Sequence, residues 1–159
     1  RTAEGLIRKR SEGARVTWSM LDVSDLDSVR HLAAAVTATG KPLHLLINNA
    51  AICMFEFGLS KQGIEQTFAT NYLGHFLLSS RLLPSLRIAA AQSGEARVVN
   101  LGSEAHRWGP QDGPVTNLTT LNNEDLYQTL QARWGWYGHS KQALQLFTLS
   151  FAQRVQGEN

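Results

Sequence analysis

Two short apolar runs, each ending abruptly in small, amide or hydroxyl residues, constrain this chain more than anything else in it. Residues 43–47 (Leu-His-Leu-Leu-Ile) break into Asn48-Asn-Ala-Ala51, and residues 97–101 (Arg-Val-Val-Asn-Leu) break into Gly102-Ser103. Apolar runs of this length, bounded by turn signals, read as buried strands of a parallel sheet. Segments with helical periodicity alternate with them, which argues for an α/β fold, a doubly wound parallel sheet with helices on both faces. In such sheets ligands bind outside the carboxyl ends of the strands, where the Asn-Asn-Ala-Ala and Gly-Ser segments fall.

The remaining elements follow from local signals. Residues 15–20 are expected to form a first strand. Ser24, with Asp27 three positions later, resembles a capping box, and Val29, Leu32, Ala33 and Val36 form one apolar stripe. Gly40 and Pro42 stop that helix. A long helix is expected over 61–83, with Pro84 near its end, and a last one over 136–155. The 159 residues are enough for one domain with a sizeable core. With 43% hydrophobic and 18% charged residues, composition argues against a disordered chain. No stretch reaches the roughly 18–20 apolar residues that span a bilayer. A single cysteine, Cys53, offers neither a disulfide nor a zinc cluster, and the five histidines show no metal-ligand spacing. A net charge of +2 gives no broad basic field, so nucleic acid is not an expected partner, and the histidine and cysteine pattern gives no reason to expect a metal.

The chemistry concentrates near the C-terminus. Tyr137 and Lys141 are spaced i,i+4, so on a helix they share one face, and a nearby ammonium favours the phenolate. A tyrosine so placed can exchange protons with an alcohol or carbonyl. Ser103 offers a hydroxyl at a strand end, though alone it reads better as a cap or turn residue. Asn71 lies within the long helical segment, where its amide can bridge backbone groups or water.

Taken in order, Asn48-Asn-Ala-Ala51, Asn71-Tyr-Leu-Gly-His-Phe76, Val98-Val-Asn-Leu-Gly-Ser103 and Tyr137-x-x-x-Lys141 resemble the successive signatures of the short-chain dehydrogenase/reductases. Leu21-Asp22-Val23 resembles the family's adenine-contacting segment. The Asn71–Phe76 stretch and the Ser103-x-Ala-His106 pattern look most like the branch of retinol dehydrogenases and WW-domain oxidoreductases. The resemblance covers nearly the whole chain and implies a Rossmann-like sheet. It implies Tyr137 as catalytic acid/base, Lys141 as its partner and holder of the nicotinamide ribose, Ser103 on the substrate oxygen, and Asn71 anchoring a relay water. Asp22 and Val23 would border the adenine; Asn49, Ala50 and Ala51 would line the cofactor floor, with Asn49 also bracing the strands. Tyr137 and Lys141 count among the cofactor contacts too. Two positions depart from the pattern: Ala51 stands where glycine is usual, and Gly102 where many members carry serine.

The family's glycine-rich phosphate turn is absent from the sequence, so the chain reads as a central part of such a domain, residues 1–159, with an insertion-like loop over 104–135. That loop and its junction carry Trp108, Tyr127, Trp134 and Trp136, which either suit a bulky apolar substrate or pack the loop onto the body. Arg1, if it meets a 2′-phosphate, leans the cofactor towards NADP(H) over NAD(H). The expected function is NAD(P)(H)-dependent interconversion of an alcohol and a carbonyl in the cytoplasm. A homodimer through the helices at 61–83 and 136–155 is possible by the resemblance, and membrane association only through segments outside this chain. The alternatives are a non-catalytic nucleotide-sensing or interaction module on the same fold, or an inactive truncated remnant.

Overall fold

A computed structural model describes residues 3–11, 13–53 and 56–156. Its elements are α1 (Ala3–Arg10), α2 (Leu26–Ala38), β1 (Leu45–Asn48), α3 (Gln66–Phe68), a π turn (Ala69–Leu73), α4 (Gly74–Ser93), β2 (Arg97–Asn100), a 3₁₀ turn (Glu104–Trp108), α5 (Leu118–Leu121), a second 3₁₀ turn (Glu124–Tyr127) and α6 (Leu130–Val155). β1 and β2 pair in parallel, Leu45 opposite Arg97 through Asn48 opposite Asn100. This is an incomplete Rossmann-like α/β sheet. Leu45, Ile47 and Val99, which alternate with the inward positions, are exposed, so among the described residues helices cover one face.

Residues 15–20, expected to be a strand, form none; Trp18 and Met20 are exposed. A strand exists only through its ladder partners, and among the described residues no strand lies against this segment; the Val16 carbonyl accepts instead from Arg8 Nη2 at 2.9 Å. The cap of α2 is Asp25 rather than Ser24. Asp25 accepts from the Asp27 amide at 3.0 Å, while the Ser24 hydroxyl turns back to Asp22 Oδ1 at 2.7 Å. The expected stop holds: the helix ends at Ala38, and Gly40 takes a left-handed φ of 63° that favours glycine.

The long helical run starts and ends later than the pattern suggested. Glu65 is its N-cap, its carboxylate accepting from the amides of Thr67 (2.8 Å) and Phe68 (2.7 Å). It then continues through Pro84 to Ser93. Proline removes one amide donor, and the carbonyl it orphans, four residues back on Ser80, lies at an exposed position where water can serve it. α6, by contrast, begins earlier than expected, at Leu130, because the Thr129 hydroxyl accepts from the Ala132 amide at 3.1 Å.

Two apolar clusters fasten these helices. Val29 and Ala33 of α2 pack with Leu78 and Leu82 of α4 beneath Leu43 and Leu46. Phe68, Leu121 and Ala143 form the second, joined by Ile64, Tyr72 and Trp136. Leu121 comes from the 104–135 segment, which is therefore pinned to the body. Asn122 reinforces it, donating to the Gly63 carbonyl (2.6 Å) and accepting from the Glu65 amide (2.9 Å).

Candidate active site

The carboxyl ends of β1 and β2 lie side by side, and the Leu101 amide donates to the Asn48 carbonyl at 3.1 Å. Asn48 is buried, and its Nδ2 donates to Ser79 Oγ on α4 (2.9 Å) and to Asn100 Oδ1 (2.7 Å). Asn100 Nδ2 donates onward to Thr148 Oγ1 on α6 at 2.9 Å. One line of amides and hydroxyls thus ties α4, both strands and α6 together. The brace expected of Asn49 is made by Asn48, because side chains alternate across a strand and Asn48 is the inward one; Asn49 is exposed.

The loop after β1 is clamped from the helix beside it. Asn71, fully buried in the π turn, accepts from the Ile52 amide at Oδ1 (2.8 Å) and donates from Nδ2 to the Ile52 carbonyl (2.8 Å). Its second amide hydrogen goes to Ser140 Oγ on α6 at 3.0 Å. Both donors of the side chain are therefore engaged, and Asn71 stands here as a brace between loop and helix. Widened π turns recur at functional sites, and this one has no marker in the residue pattern. His75 adds a third anchor, with Nε2 2.7 Å from the Ala50 carbonyl. Ala50 and Ala51 are exposed beside Asn49, a floor of small side chains in a fixed backbone.

Asp22 and Val23 approach from the other side. A Cβ on Gly74 would strike the Val23 carbonyl, so only glycine lets this loop sit against the start of α4. Asp22 Oδ1 accepts from the amide (2.9 Å) and hydroxyl (2.7 Å) of Ser24.

Lys141 is buried at 3% exposure, and its Nζ donates to the Leu101 carbonyl at 2.9 Å, which fixes the ammonium just past the end of β2. Burial pushes this amine below its ordinary range. The same Nζ lies 5.9 Å from the centre of the Tyr137 ring, one helical turn back, as the i,i+4 spacing requires. Ser140 Oγ donates to the Tyr137 carbonyl at 2.7 Å, which links this turn of α6 to Asn71. Ser103 Oγ accepts from the Ala105 amide at 3.2 Å and starts the 3₁₀ turn. That turn lies against α6 at Gly138, where a Cβ would strike the Ala105 carbonyl. Ser103 and Lys141 line one open cavity of about 510 Å³ together with Asn100, His106 and Thr148.

Beyond Tyr137 the surface is aromatic. Trp134 meets the Tyr137 ring edge-on at 5.8 Å, and Trp108 meets Trp134 at 5.8 Å. Cys53 is exposed on the loop after β1, its thiol pushed up by desolvation, which is poor preparation for a nucleophile. Arg1 lies outside the described residues. Sequence pattern missed Asn48, Glu65 and His75; inward strand parity would have found Asn48, and nothing in the spacing marks the other two.

The residues present fit the nicotinamide and ribose of a dinucleotide: a rigid alanine floor at the strand ends, with a buried ammonium beside it. Residues 1–115 match the short chain dehydrogenase family. Retinol dehydrogenase 12 of Mus musculus is 39% identical over 156 residues, 98% of this chain and 45% of that protein. Short-chain dehydrogenase TIC 32 A, chloroplastic, of Brassica napus is 38% identical over 154 residues, 96% of this chain and 46% of that one. The NADPH bound carbonyl reductase from chicken fatty liver superposes with a TM-score of 0.63 at 26% identity, over 98% of this chain and 58% of its own. The chain spans about half the length of the curated relatives it matches. With the ordered motifs and the parallel strands that carry them, these matches settle the family: the chain belongs to the short-chain dehydrogenases, on the retinol dehydrogenase-like branch.

Proposed function

We propose that the protein containing this chain is an NAD(P)(H)-dependent oxidoreductase that interconverts an alcohol and a carbonyl on a bulky apolar substrate. The observation that carries this is Lys141: a buried ammonium, fixed by the Leu101 carbonyl, facing Tyr137 one turn away and the alanine-floored loop across the strand ends. A bound nicotinamide supplies or accepts the hydride. Tyr137 gives the proton to, or takes it from, the substrate oxygen. Ser103 supports that oxygen: its Oγ lone pair is taken by the Ala105 amide, which leaves the hydroxyl hydrogen to donate. Lys141 has three donors and gives one to Leu101, so two are left for the ribose hydroxyls and for proton relay. Asn71 holds loop and helix in register and anchors the relay water through an oxygen, since both its N–H groups are engaged. Asp22 and Val23 border the adenine, and Asn49, Ala50 and Ala51 floor the nicotinamide.

NADP(H) is preferred over NAD(H) in this reading, supported by the NADPH bound to the carbonyl reductase from chicken fatty liver. The exposed Trp108 and Trp134 beside Tyr137 support the apolar substrate. The 159 residues form one partial domain, with the 104–135 segment as an insertion. A groove between α4 and α6, lined by Tyr72, Phe76, Leu83, Leu146, Phe147 and Phe151, supports a homodimer through these helices. No helix among the described residues is long and apolar enough to cross a membrane, and the reading places the protein in the cytoplasm. The test is the complete protein with NADPH or NADH against a panel of small and bulky carbonyls. Reduction of the bulky members is expected. Nucleotide binding without turnover would favour a sensor on the same fold, and absence of nucleotide binding would end the oxidoreductase reading.

A further inference from the structure

The loop at 49–52 is held by two side chains four positions apart, Asn71 and His75, and no catalytic pattern in the sequence draws on the second. His75 is 3% exposed at the start of α4, with Nε2 2.7 Å from the Ala50 carbonyl. A carbonyl only accepts, so Nε2 carries the proton. Nδ1 is buried without a hydrogen-bond partner. A proton there would be an unsatisfied buried cation in the field of Lys141, and burial together with that charge holds the ring below its ordinary pKa. The imidazole is thus fixed in one tautomer, as a permanent donor to one carbonyl.

We infer that His75 is a positioning residue of the cofactor site: its Nε2–H, donated to the Ala50 carbonyl, holds the 49–52 loop in the shape that receives the nicotinamide. This rests on the oxidoreductase reading above. Ala50 is exposed, yet its carbonyl turns inward to the ring, so the small side chain is presented outward to a ligand. With Asn71 gripping both backbone groups of Ile52, three hydrogen bonds fix the loop. His75 leaves Tyr137, Ser103 and Lys141 to do the chemistry.

The test compares His75→Leu, which fills the volume without a donor, with His75→Gln, whose Nε2 can stand near the imidazole Nε2. In the complete protein, His75→Leu is expected to weaken NADPH binding about ten-fold, read by nucleotide fluorescence, since a buried acceptor loses its donor. The cofactor KM rises in step and kcat changes little. His75→Gln returns the Kd to within about three-fold of wild type. Without nucleotide, His75→Leu speeds hydrogen exchange at the Ala51 and Ile52 amides. Unchanged NADPH affinity in His75→Leu, or no rescue by His75→Gln at equal thermal stability, would overturn the inference while leaving the oxidoreductase reading intact. A wild-type protein that binds neither NADPH nor NADH overturns that reading instead, and the exchange rates then decide whether His75 holds the loop.

Discussion

Trp134 and Trp136 stand two residues apart on α6 and meet different surroundings. Trp136 stacks on Tyr127 (5.2 Å, 10°), meets His139 edge-on at 5.2 Å, and donates from Nε1 to the Leu126 carbonyl at 3.3 Å. Trp134 is 36% exposed and touches Trp108, itself 56% exposed, on one side and Tyr137 on the other. Two steps on a helix rotate a side chain by about 200°, so helical phase alone separates the roles. The same residue type fastens the 104–135 segment to the body on one face and stands open beside Tyr137 on the other. The aromatic residues divide accordingly: Tyr127 and Trp136 pack, while Trp108 and Trp134 lie on the exposed face that the proposed function assigns to substrate.

The largest expected effect falls on the residue that the exposed set surrounds. Tyr137→Phe keeps the ring that Trp134 meets and removes only the hydroxyl. Turnover in the complete protein should fall by roughly 10²–10⁴, the usual share of positioned acid–base catalysis, with NADPH binding spared. Near-native kcat would sink the assignment of Tyr137.

Next comes the packed set. Trp136 is half-buried, so Trp136→Ala should destabilise the complete protein by about 2–3 kcal/mol, below the cost of truncating a fully buried aromatic, whereas Trp108→Ala should stay within about 0.5 kcal/mol. Urea unfolding of both variants gives the contrast directly. Equal losses would mean that the two sets are one.

His139 sharpens the buried side through pH. It is stacked on Phe68 at 5.0 Å, neither ring nitrogen completes a well-formed hydrogen bond, and burial pushes it from 6.5 to about 4, opposed only in part by the backbone of Val115. The unfolded chain takes up a proton between pH 6.5 and 4 that the folded chain refuses. Its contribution is therefore full above about 6.5 and is lost as pH falls towards 4, by roughly 3 kcal/mol at most. Burial raises the Glu65 carboxyl, which runs the other way, but that is common to wild type and to His139→Phe. The difference between their unfolding free energies at pH 7 and pH 4 isolates His139. Parallel curves would show that the ring is protonated as readily folded as unfolded.

What could be read in advance, and what could not, has physical reasons at each place. Residues 45–48 and 97–100 were legible as strands because each is a short apolar run with a turn after it, though alternate side chains of both are exposed. The same pattern failed at 15–20, since pairing depends on ladder partners distant in sequence, and among the described residues no strand meets this segment. Gly40 announced the end of α2 through its backbone freedom, but Asp25 displaced Ser24 as the cap because Gln62 Nε2 also donates to it, at 2.8 Å from a loop 37 positions on. The π turn, the continuation through Pro84 and the clamp by His75 are tertiary effects with no local signature. Asn71, Ser103, Tyr137 and Lys141 form a spaced set in the sequence, and the structure puts Lys141 against the Tyr137 ring and in one cavity with Ser103. That Asn71 has both amide hydrogens committed was not legible, because its partners Ile52 and Ser140 lie 19 and 69 positions away.

The smallest effect tests the exposed face most finely. Trp108→Ala removes the outer half of the wall and leaves Trp134 against Tyr137, so the proton-transfer geometry is untouched. A pocket contact of this kind is worth about 1 kcal/mol, a factor of roughly five, and only to a substrate long enough to reach it. The expected result is a rise in KM of about that size for bulky apolar carbonyls, with no change for small ones and with the same kcat for both. An equal rise for small and bulky carbonyls would mean that Trp108 acts on the site through Trp134 rather than on the substrate. No rise for either would return Trp108 to the packing set, and the face beside Tyr137 would then select its substrate by something other than these two indoles.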